Sequence, residues 1–99
     1  MFARMTTLQG SPDQVEPTIE SIRAEVLPGV KDLDGFDHIV ALVDRSAGTM
    51  IAITFWESEE AMRASEEAAN RLRESASTGT SNEIAGVDRF EVVFDSRTA

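Results

Sequence analysis

The stretch from Thr49 to Leu72 constrains the fold of this chain most strongly, because it joins a buried strand to a helix with no loop between them. An almost continuous apolar run ends at Trp56, the single tryptophan of the chain. Ser58 follows as a helix N-cap, and the two glutamates after it complement the positive end of the helix dipole. Strands that are apolar on nearly every residue are usually covered on both faces. The sequence therefore predicts a buried strand over residues 49–57 that leads directly into a second helix.

The rest of the chain supplies one more helix and three more strands. Ser11, with Pro12 at the first helical position, begins a helix with one apolar face, and Pro28 ends it. The order of elements is β-α-β-β-α-β, the ferredoxin-like pattern of the α+β class: one four-stranded antiparallel sheet with two helices on one face. A chain of 99 residues has room for one such domain, residues 1–99. The other strands are predicted over residues 1–9, 36–43 and 87–95, with a Ser/Thr-rich loop over 75–86.

The two middle strands predict self-association, because both of their faces are apolar. On the first of them, one parity consists of Phe36, His38, Val40 and Leu42. The residues between these are also mostly apolar. Helices cover only one face of the predicted sheet, so a monomer would expose a larger apolar surface than soluble proteins usually tolerate. We therefore expect a homodimer in which two sheets pack face to face across a two-fold axis.

Composition argues against several classes of partner. The formal net charge of −9 opposes binding to nucleic acid or to an anionic membrane surface, because both attract clusters of Lys and Arg. Without cysteine, the chain has no disulfide, no thiolate nucleophile and no Cys-based zinc site. Asp32, Asp34 and Asp37 do not follow the spacing of a calcium-binding loop, so no metal site is predicted. With no signal-peptide-like segment and no apolar run of about 18 residues, we expect a cytoplasmic protein with no membrane partner.

Two segments give the chain a family resemblance. One is residues 55–61, FWESEEA, at the entry to the second helix, and the other is residues 90–94, FEVVF, in the closing strand. With the order of elements, they make the chain resemble the dimeric α+β barrel superfamily over nearly its whole length. Within it, the chain is most similar to the antibiotic-biosynthesis-monooxygenase-like group. The resemblance implies a homodimeric barrel, and the group includes cofactor-free oxygenases of polycyclic phenols, haem-degrading enzymes and isomerases.

This chain departs from the group's pattern at positions that some of these activities require. Haem-degrading members carry a ligand His on the second helix, where this chain has Ala-Ser-Glu-Glu-Ala at residues 64–68. Those members and several quinone-forming relatives also use an Asn on the first strand, where this chain has Thr6 and Thr7. The chain also has no tyrosine. Haem ligation of that kind is therefore disfavoured, and we expect no cofactor.

Trp56 and Met62 are candidate substrate-binding residues. The indole of Trp56 either offers a flat surface and one N–H donor to an aromatic substrate or fills the core between sheet and helix. Met62 either joins the same site or acts as a flexible core filler. Small residues on the second helix either bring it close to the sheet or leave space for a ligand, and we expect any cavity there, near Trp56 and Met62. The small-residue face, which ends at Leu72, consists of Ala61, Ala64, Ser65 and Ala68.

His38 and Arg4 are the candidate polar groups of the site. Histidine titrates near neutrality, which suits a general base that removes a phenolic proton, and His38 is the only one in the chain. The alternative is a hydrogen-bonded His in the core or the dimer interface. Arg4 on the first strand is suited to a substrate carboxylate or phenolate, or alternatively to a surface ion pair with Glu91.

Two functional hypotheses follow. In the first, the chain is a cofactor-independent monooxygenase, or a related enolising enzyme, acting on a small aromatic or polyketide-like substrate. His38 is then the catalytic base, and Trp56, Met62 and Arg4 bind the substrate. In the second, the chain is a non-catalytic homodimer that binds a small apolar ligand or serves as an interaction module. The fold does not choose between them, because this fold hosts unrelated functions.

Overall fold

The computed structural model describes residues 1–71 and 83–97, and its strands form one antiparallel sheet. The strands are β1 (Phe2–Gln9), β2 (Phe36–Asp44), β3 (Thr49–Trp56) and β4 (Glu83–Glu91). Their order across the sheet is β2-β3-β1-β4, and every neighbouring pair is antiparallel. With the helices packed on one face, this is the ferredoxin-like α+β architecture, and that prediction is confirmed.

The first helical segment covers residues 12–30 and changes its hydrogen-bonding pattern along its length. A proline inside a helix cannot donate the usual bond to the carbonyl four residues earlier. Pro28 is such a residue, and the helix widens to π-helical spacing just before it. In chain order the segment consists of a 3₁₀ turn (Pro12–Gln14), α1 (Val15–Ser21), a π-helical turn (Ile22–Val26) and α2 (Leu27–Val30).

The second helical region begins at the predicted N-cap and is interrupted at Ser65. Helix α3 (Glu59–Ala64) follows Ser58, whose Oγ accepts a hydrogen bond from the Ala61 N–H at 3.1 Å. Ser65 forms a turn, and α4 continues over residues 66–71. The Ser65 hydroxyl donates to the carbonyl of Met62 at 2.7 Å. This side-chain bond keeps Ser65 buried beneath the helices, because it satisfies the hydroxyl locally.

The sheet has an inner face that packs against the helices and an outer face that does not. Cross-strand pairing of Leu8 with Met50 places both on the inner face, where they form the core with Val15 and Ile22. The outer face carries apolar side chains that stay accessible, including Leu42 at 51% exposed. The inner face includes Arg4, Thr6, Leu8, Phe36, Ile39, Met50, Ala52, Thr54 and Trp56. The outer face includes Met5, Thr7, His38, Val40, Leu42, Ile51, Ile53, Phe55 and Phe90.

The prediction that Phe36 and His38 share a face is wrong. Phe36 pairs with Trp56 and His38 with Phe55, so Asp37 is an extra residue in β2. An extra residue reverses the alternation of side chains along a strand. Phe36 therefore lies on the inner face with its ring edge-on to Trp56, 5.4 Å between centroids, while His38 stacks on Phe55 on the outer face at 4.3 Å.

The last strand lies earlier in the chain than predicted. It was expected over residues 87–95, but β4 begins at Glu83 and ends at Glu91. The first residues of β4 pair with the end of β1 after a register shift. The polar and small side chains of residues 83–86 gave no strand pattern from which this early start could be predicted. Residues 83–86 of the predicted loop are therefore strand, and its residues 75–82 lie outside the described residues. Within residues 1–71 and 83–97, no helix is both long and apolar enough to cross a membrane.

Candidate functional site

A cavity of about 50 Å³ lies between the inner face of the sheet and the first helical segment. Its walls are mostly apolar, and its three polar lining residues all come from β1 and β3. A water molecule needs roughly 10–15 Å³ of such space, whereas a cavity that binds benzene measures about 150 Å³. The site therefore holds small molecules only unless its walls move. The cavity is lined by Leu8, Ile22, Val26, Val30, Ile39, Ala52 and Ala69, with the polar residues Arg4, Thr6 and Thr54.

The cavity is not where the sequence placed it. We expected it beneath the second helix, near Trp56 and Met62, but neither residue lines it. Trp56 is fully buried and Met62 is 2% exposed, so both fill the space beneath α3. Of the described residues of the second helical region, up to residue 71, only Ala69 reaches the cavity. The bulky first helical segment forms most of the roof through Ile22, Val26 and Val30.

Arg4 is a buried cation at the end of the cavity nearest α3. It is 2% exposed, and its Nη1 donates to the Met62 carbonyl and to Ser65 Oγ, each at 3.2 Å. The same nitrogen lies 3.3 Å from Glu66 Oε1, and the guanidinium lies 5.4 Å from the centre of the Trp56 ring. The alternative of a surface ion pair with Glu91 is therefore wrong, because Arg4 is buried and its described ion pair is with Glu66.

Trp56 closes the floor of the same region. Its indole Nε1 donates to Thr54 Oγ1 at 3.0 Å, so the donor expected to meet a substrate already has a partner within the protein. Its ring packs against Phe36 and lies beneath Arg4. Trp56 therefore contacts Arg4 through its ring, and Met62 contacts it through its backbone carbonyl. Their direct contact with a substrate stays a prediction.

Glu66 on α4 forms ion pairs with two arginines, Arg4 on β1 and Arg89 on β4. Arg89 on β4 donates to it from Nε at 2.6 Å and from Nη2 at 2.8 Å, a bidentate geometry. Hydrogen bonding from Arg89, and then the charge of Arg4, lower the pKa of Glu66 below its ordinary value, and the same contact raises the pKa of Arg89. Sequence reasoning missed Glu66 and Arg89, because their pairing depends on the register of β4.

His38 lies apart from the other candidates, on the outer face. Its Nδ1 contacts Asp37, and its Nε2 lies 2.9 Å from Nη2 of Arg97, which also binds Asp95. The structure thus brings Arg4, Trp56 and Met62 together and leaves His38 on the other side of the sheet. Its role as a base stays a prediction. In the described parts of the chain, no three His, Asp or Glu side chains converge as metal ligands.

The sequence of this chain matches the model of a known protein family. Residues 1–73 match the family model described as antibiotic biosynthesis monooxygenase. The chain belongs to this family. The match covers the first helical segment, β1 to β3 and the described part of the second helical region, and so includes all the described residues that line the cavity.

Individual relatives extend this assignment. The uncharacterized protein Rv2558 of Mycobacterium tuberculosis is 40% identical over 76 residues, which cover 77% of this chain and 32% of that protein. The chain thus spans about a third of the length of the curated relatives it matches. Two Streptomyces structures share its fold: the ActVA-Orf6 monooxygenase of S. coelicolor with Nanaomycin D (TM-score 0.69, 20% identity, 96% and 91% of the two chains), and SnoaB of S. nogalater, a cofactor-independent oxygenase (TM-score 0.65, 14% identity, 96% and 95%).

Proposed function

We propose that this chain is a cofactor-independent monooxygenase that acts on a small aromatic or polyketide-like phenol bound between the sheet and the first helical segment. The observation that carries the proposal is an apolar cavity with the buried cation Arg4 at one end. Membership of the family and the fold shared with SnoaB, a cofactor-independent oxygenase, support the same reading. The substrate class and the absence of a cofactor are part of the proposal.

The proposed reaction needs no external reductant, because the substrate supplies all the electrons. A phenol with a hydrogen on the carbon opposite its hydroxyl reacts with O₂ to give a quinone and water. One oxygen atom forms the new carbonyl, and the other leaves as water with the phenolic hydrogen and the ring hydrogen. An ionised phenol gives up electrons to O₂ more readily than a neutral one, so the site has to favour the phenolate.

Arg4 is the group placed to favour that phenolate. A cation in a water-poor site stabilises an oxyanion more strongly than it does in bulk water. The apolar walls exclude water from the ring, and Trp56 holds the guanidinium from below. His38 lies across the sheet from this cavity, so we propose that its outer-face position serves the dimer interface. A role as base would need a substrate on that other face.

We also propose that two copies pair through the outer face. Leu42 and Phe90 are more than half exposed there, at 51% and 53%, and Val40 is 37% exposed. Partly covered Ile51, Ile53 and Phe55 lie between them. An apolar sheet face of this extent is usually buried in a partner, and a second copy supplies a matching surface by two-fold symmetry.

Oxygen labelling tests the proposed activity. Purified protein is incubated with ¹⁸O₂ and a panel of one- to three-ring phenols, with no added cofactor, and the products are analysed by mass spectrometry. We expect one ¹⁸O atom in each quinone, formed faster than with heat-unfolded protein. His38→Ala should keep at least about half of the kcat/KM, because its ring does not reach the cavity. No labelled product from any phenol would contradict the activity, and a loss above about 100-fold in His38→Ala would return the base role to His38.

A second candidate function is a non-catalytic dimer that binds a small apolar ligand. The observation in its favour is the size of the cavity, about 50 Å³, which is small for an aromatic substrate. In addition, no histidine reaches the cavity in the described parts of the chain. This candidate predicts saturable binding of phenols without oxygen uptake, so the labelling experiment also separates the two functions.

A further inference from the structure

Thr6 is a buried residue whose hydroxyl faces the cavity, and no hydrogen bond joins this hydroxyl to another described residue. It is 6% exposed and lies in β1, whose backbone is paired with β3 on one side and β4 on the other. The backbone groups around it are therefore already used. Among the described residues every fully buried side-chain oxygen has a hydrogen-bond partner, so the hydroxyl of Thr6 is accessible from the cavity. A molecule in the cavity can therefore reach this hydroxyl.

Thr54 supplies a second hydroxyl on the same wall. Its Oγ1 accepts the hydrogen bond from Trp56, which leaves its own proton for another acceptor. Thr6 pairs with Ala52, the residue two before Thr54 on β3, so the two threonines are diagonal neighbours on the inner face. The remaining walls are apolar apart from Arg4. Two hydroxyl donors on an apolar wall suit one oxygen atom of an otherwise apolar molecule.

The body of such a molecule has room to extend toward the edge of the sheet. A groove of about 190 Å³ adjoins the cavity beside β2, and the two spaces share Ile22 and Ile39 as their common wall. Ile22 begins the π-helical turn, a local irregularity that is often found at functional sites. Because Ile22 borders both spaces, a ligand that occupies both of them requires its side chain to move. The groove is also lined by Ile19, Arg23, Leu27 and Ala41.

We propose that Thr6, with Thr54, binds a single carbonyl or phenolic oxygen of an otherwise apolar ring compound, whose body occupies the cavity and the adjoining groove. Thr6 thereby selects ligands that carry an oxygen over hydrocarbons of the same shape. The inference rests on the proposed function, because it takes the cavity to be the substrate site. It adds to that function the residue that positions the ring oxygen.

Two probes of nearly equal shape test the role of Thr6. Dissociation constants of 2-naphthol and naphthalene are measured by equilibrium dialysis for the unmodified chain and for Thr6→Val, Thr6→Ala and Thr6→Ser. The control is Thr7→Val, which makes the same change on the outer face. Because the two probes differ only by a hydroxyl, the ratio of their dissociation constants cancels the contribution of the apolar rings to binding. We expect 2-naphthol to lose about 5- to 10-fold relative to naphthalene in Thr6→Val and Thr6→Ala, the value of one lost hydrogen bond.

The control and the rescue make the result specific. Thr7→Val should leave the ratio unchanged, and Thr6→Ser, which keeps the hydroxyl, should restore most of it. Circular dichroism shows whether each variant is folded. If Thr6→Val does not fold, Thr6→Ala replaces it in the comparison. An unchanged ratio in a folded Thr6 variant, or no binding of either probe, would overturn the inference. A shifted ratio without any quinone formation would contradict the oxygenase activity alone, whereas quinone formation with an unchanged ratio would contradict the Thr6 subsite alone.

Discussion

Arg4 shows how the surroundings of one side chain determine its role. On the sequence alone, an arginine in an alternating strand suits a surface ion pair as well as a binding site. In the structure it is buried, and it contacts the carbonyl of Met62, the hydroxyl of Ser65 and the carboxylate of Glu66. These contacts come from the break between α3 and α4, which no local pattern predicted. Burial suits this cation to binding an oxyanion, because the attraction between opposite charges is stronger in a water-poor site.

The burial of Arg4 predicts a large effect on stability. Arg4→Gln should lower the free energy of unfolding by about 2–4 kcal/mol, because it removes a buried ion pair and leaves Glu66 with one arginine fewer. Arg45→Gln is the matched control, since Arg45 pairs with Glu16 at the surface, where both side chains are more than 60% exposed. That control should cost less than about 1 kcal/mol. Urea denaturation measures both, and equal losses would show that Arg4 is not in the environment described.

Glu66 predicts how stability depends on pH. Its pKa is lowered in the folded chain from an ordinary value of 4.5, mainly by hydrogen bonds from Arg89. A carboxyl with a lower pKa when folded stabilises the fold above its unfolded pKa, and this contribution is lost as the pH falls through the folded pKa. Glu66→Gln should therefore be less stable than the unmodified chain at pH 7, and the difference should shrink below pH 4.5. A difference that stays constant from pH 7 to pH 3 would contradict this account.

At the scale of elements, the sequence predicted most where local rules and packing agree. The strand-to-helix join at Trp56 and Ser58 is as expected, because an apolar run and an N-cap define it without reference to the rest of the chain. Two features depended on pairing between distant strands and were missed. The extra residue Asp37 reverses the side chains of β2, and the register shift beside Thr7 lets β4 begin early. The extra residue determines which side chains of β2 face the cavity, so the fold was more predictable than the cavity.

The position of the cavity predicts that the same substitution, Ala to Leu, weakens ligand binding at one position and leaves it nearly unchanged at another. Ala69 on α4 lines the cavity and is 6% exposed, whereas Ala64 on α3 is exposed. Ala69→Leu should fill the space and weaken binding of 2-naphthol by more than about tenfold, because overpacking a closed site displaces the ligand or distorts the walls. Ala64→Leu should leave binding within about twofold of the unmodified chain. Equilibrium dialysis measures both, and similar affinities for the two variants would place the ligand elsewhere.

At the scale of the whole molecule, the two faces of the sheet have different surroundings. The inner face and the helices enclose the cavity, and the outer face presents an apolar surface that residues 1–71 and 83–97 leave accessible. The apolar residues on both faces of β2 and β3 were enough to predict a sheet whose outer face is apolar. Which face holds His38 was not predictable, because a single extra residue decides it. The arrangement places the proposed chemistry and the proposed pairing of two copies on opposite sides of one sheet.

Pairing through the outer face predicts a dimer that one outer-face charge disrupts. The unmodified chain should have twice its 10.8 kDa mass by light scattering, whereas Leu42→Glu should behave as a monomer, because it buries a charge in the apolar interface. Val43→Glu is the matched control, since Val43 is the next residue of β2, points to the other side and is 37% exposed. That variant should remain a dimer. A monomeric unmodified chain, or dissociation of both variants alike, would contradict pairing through this face.

A crystal structure of the chain with 2-naphthol is the most direct test of the central claim, that the ligand site lies between the inner face and the first helical segment. We expect the ring among Ile22, Val26 and Ile39, with its oxygen within hydrogen-bond distance of Thr6. A ring bound instead on the outer face, beside His38 and Phe55, would contradict the claim and make His38 the residue on which the chemistry depends.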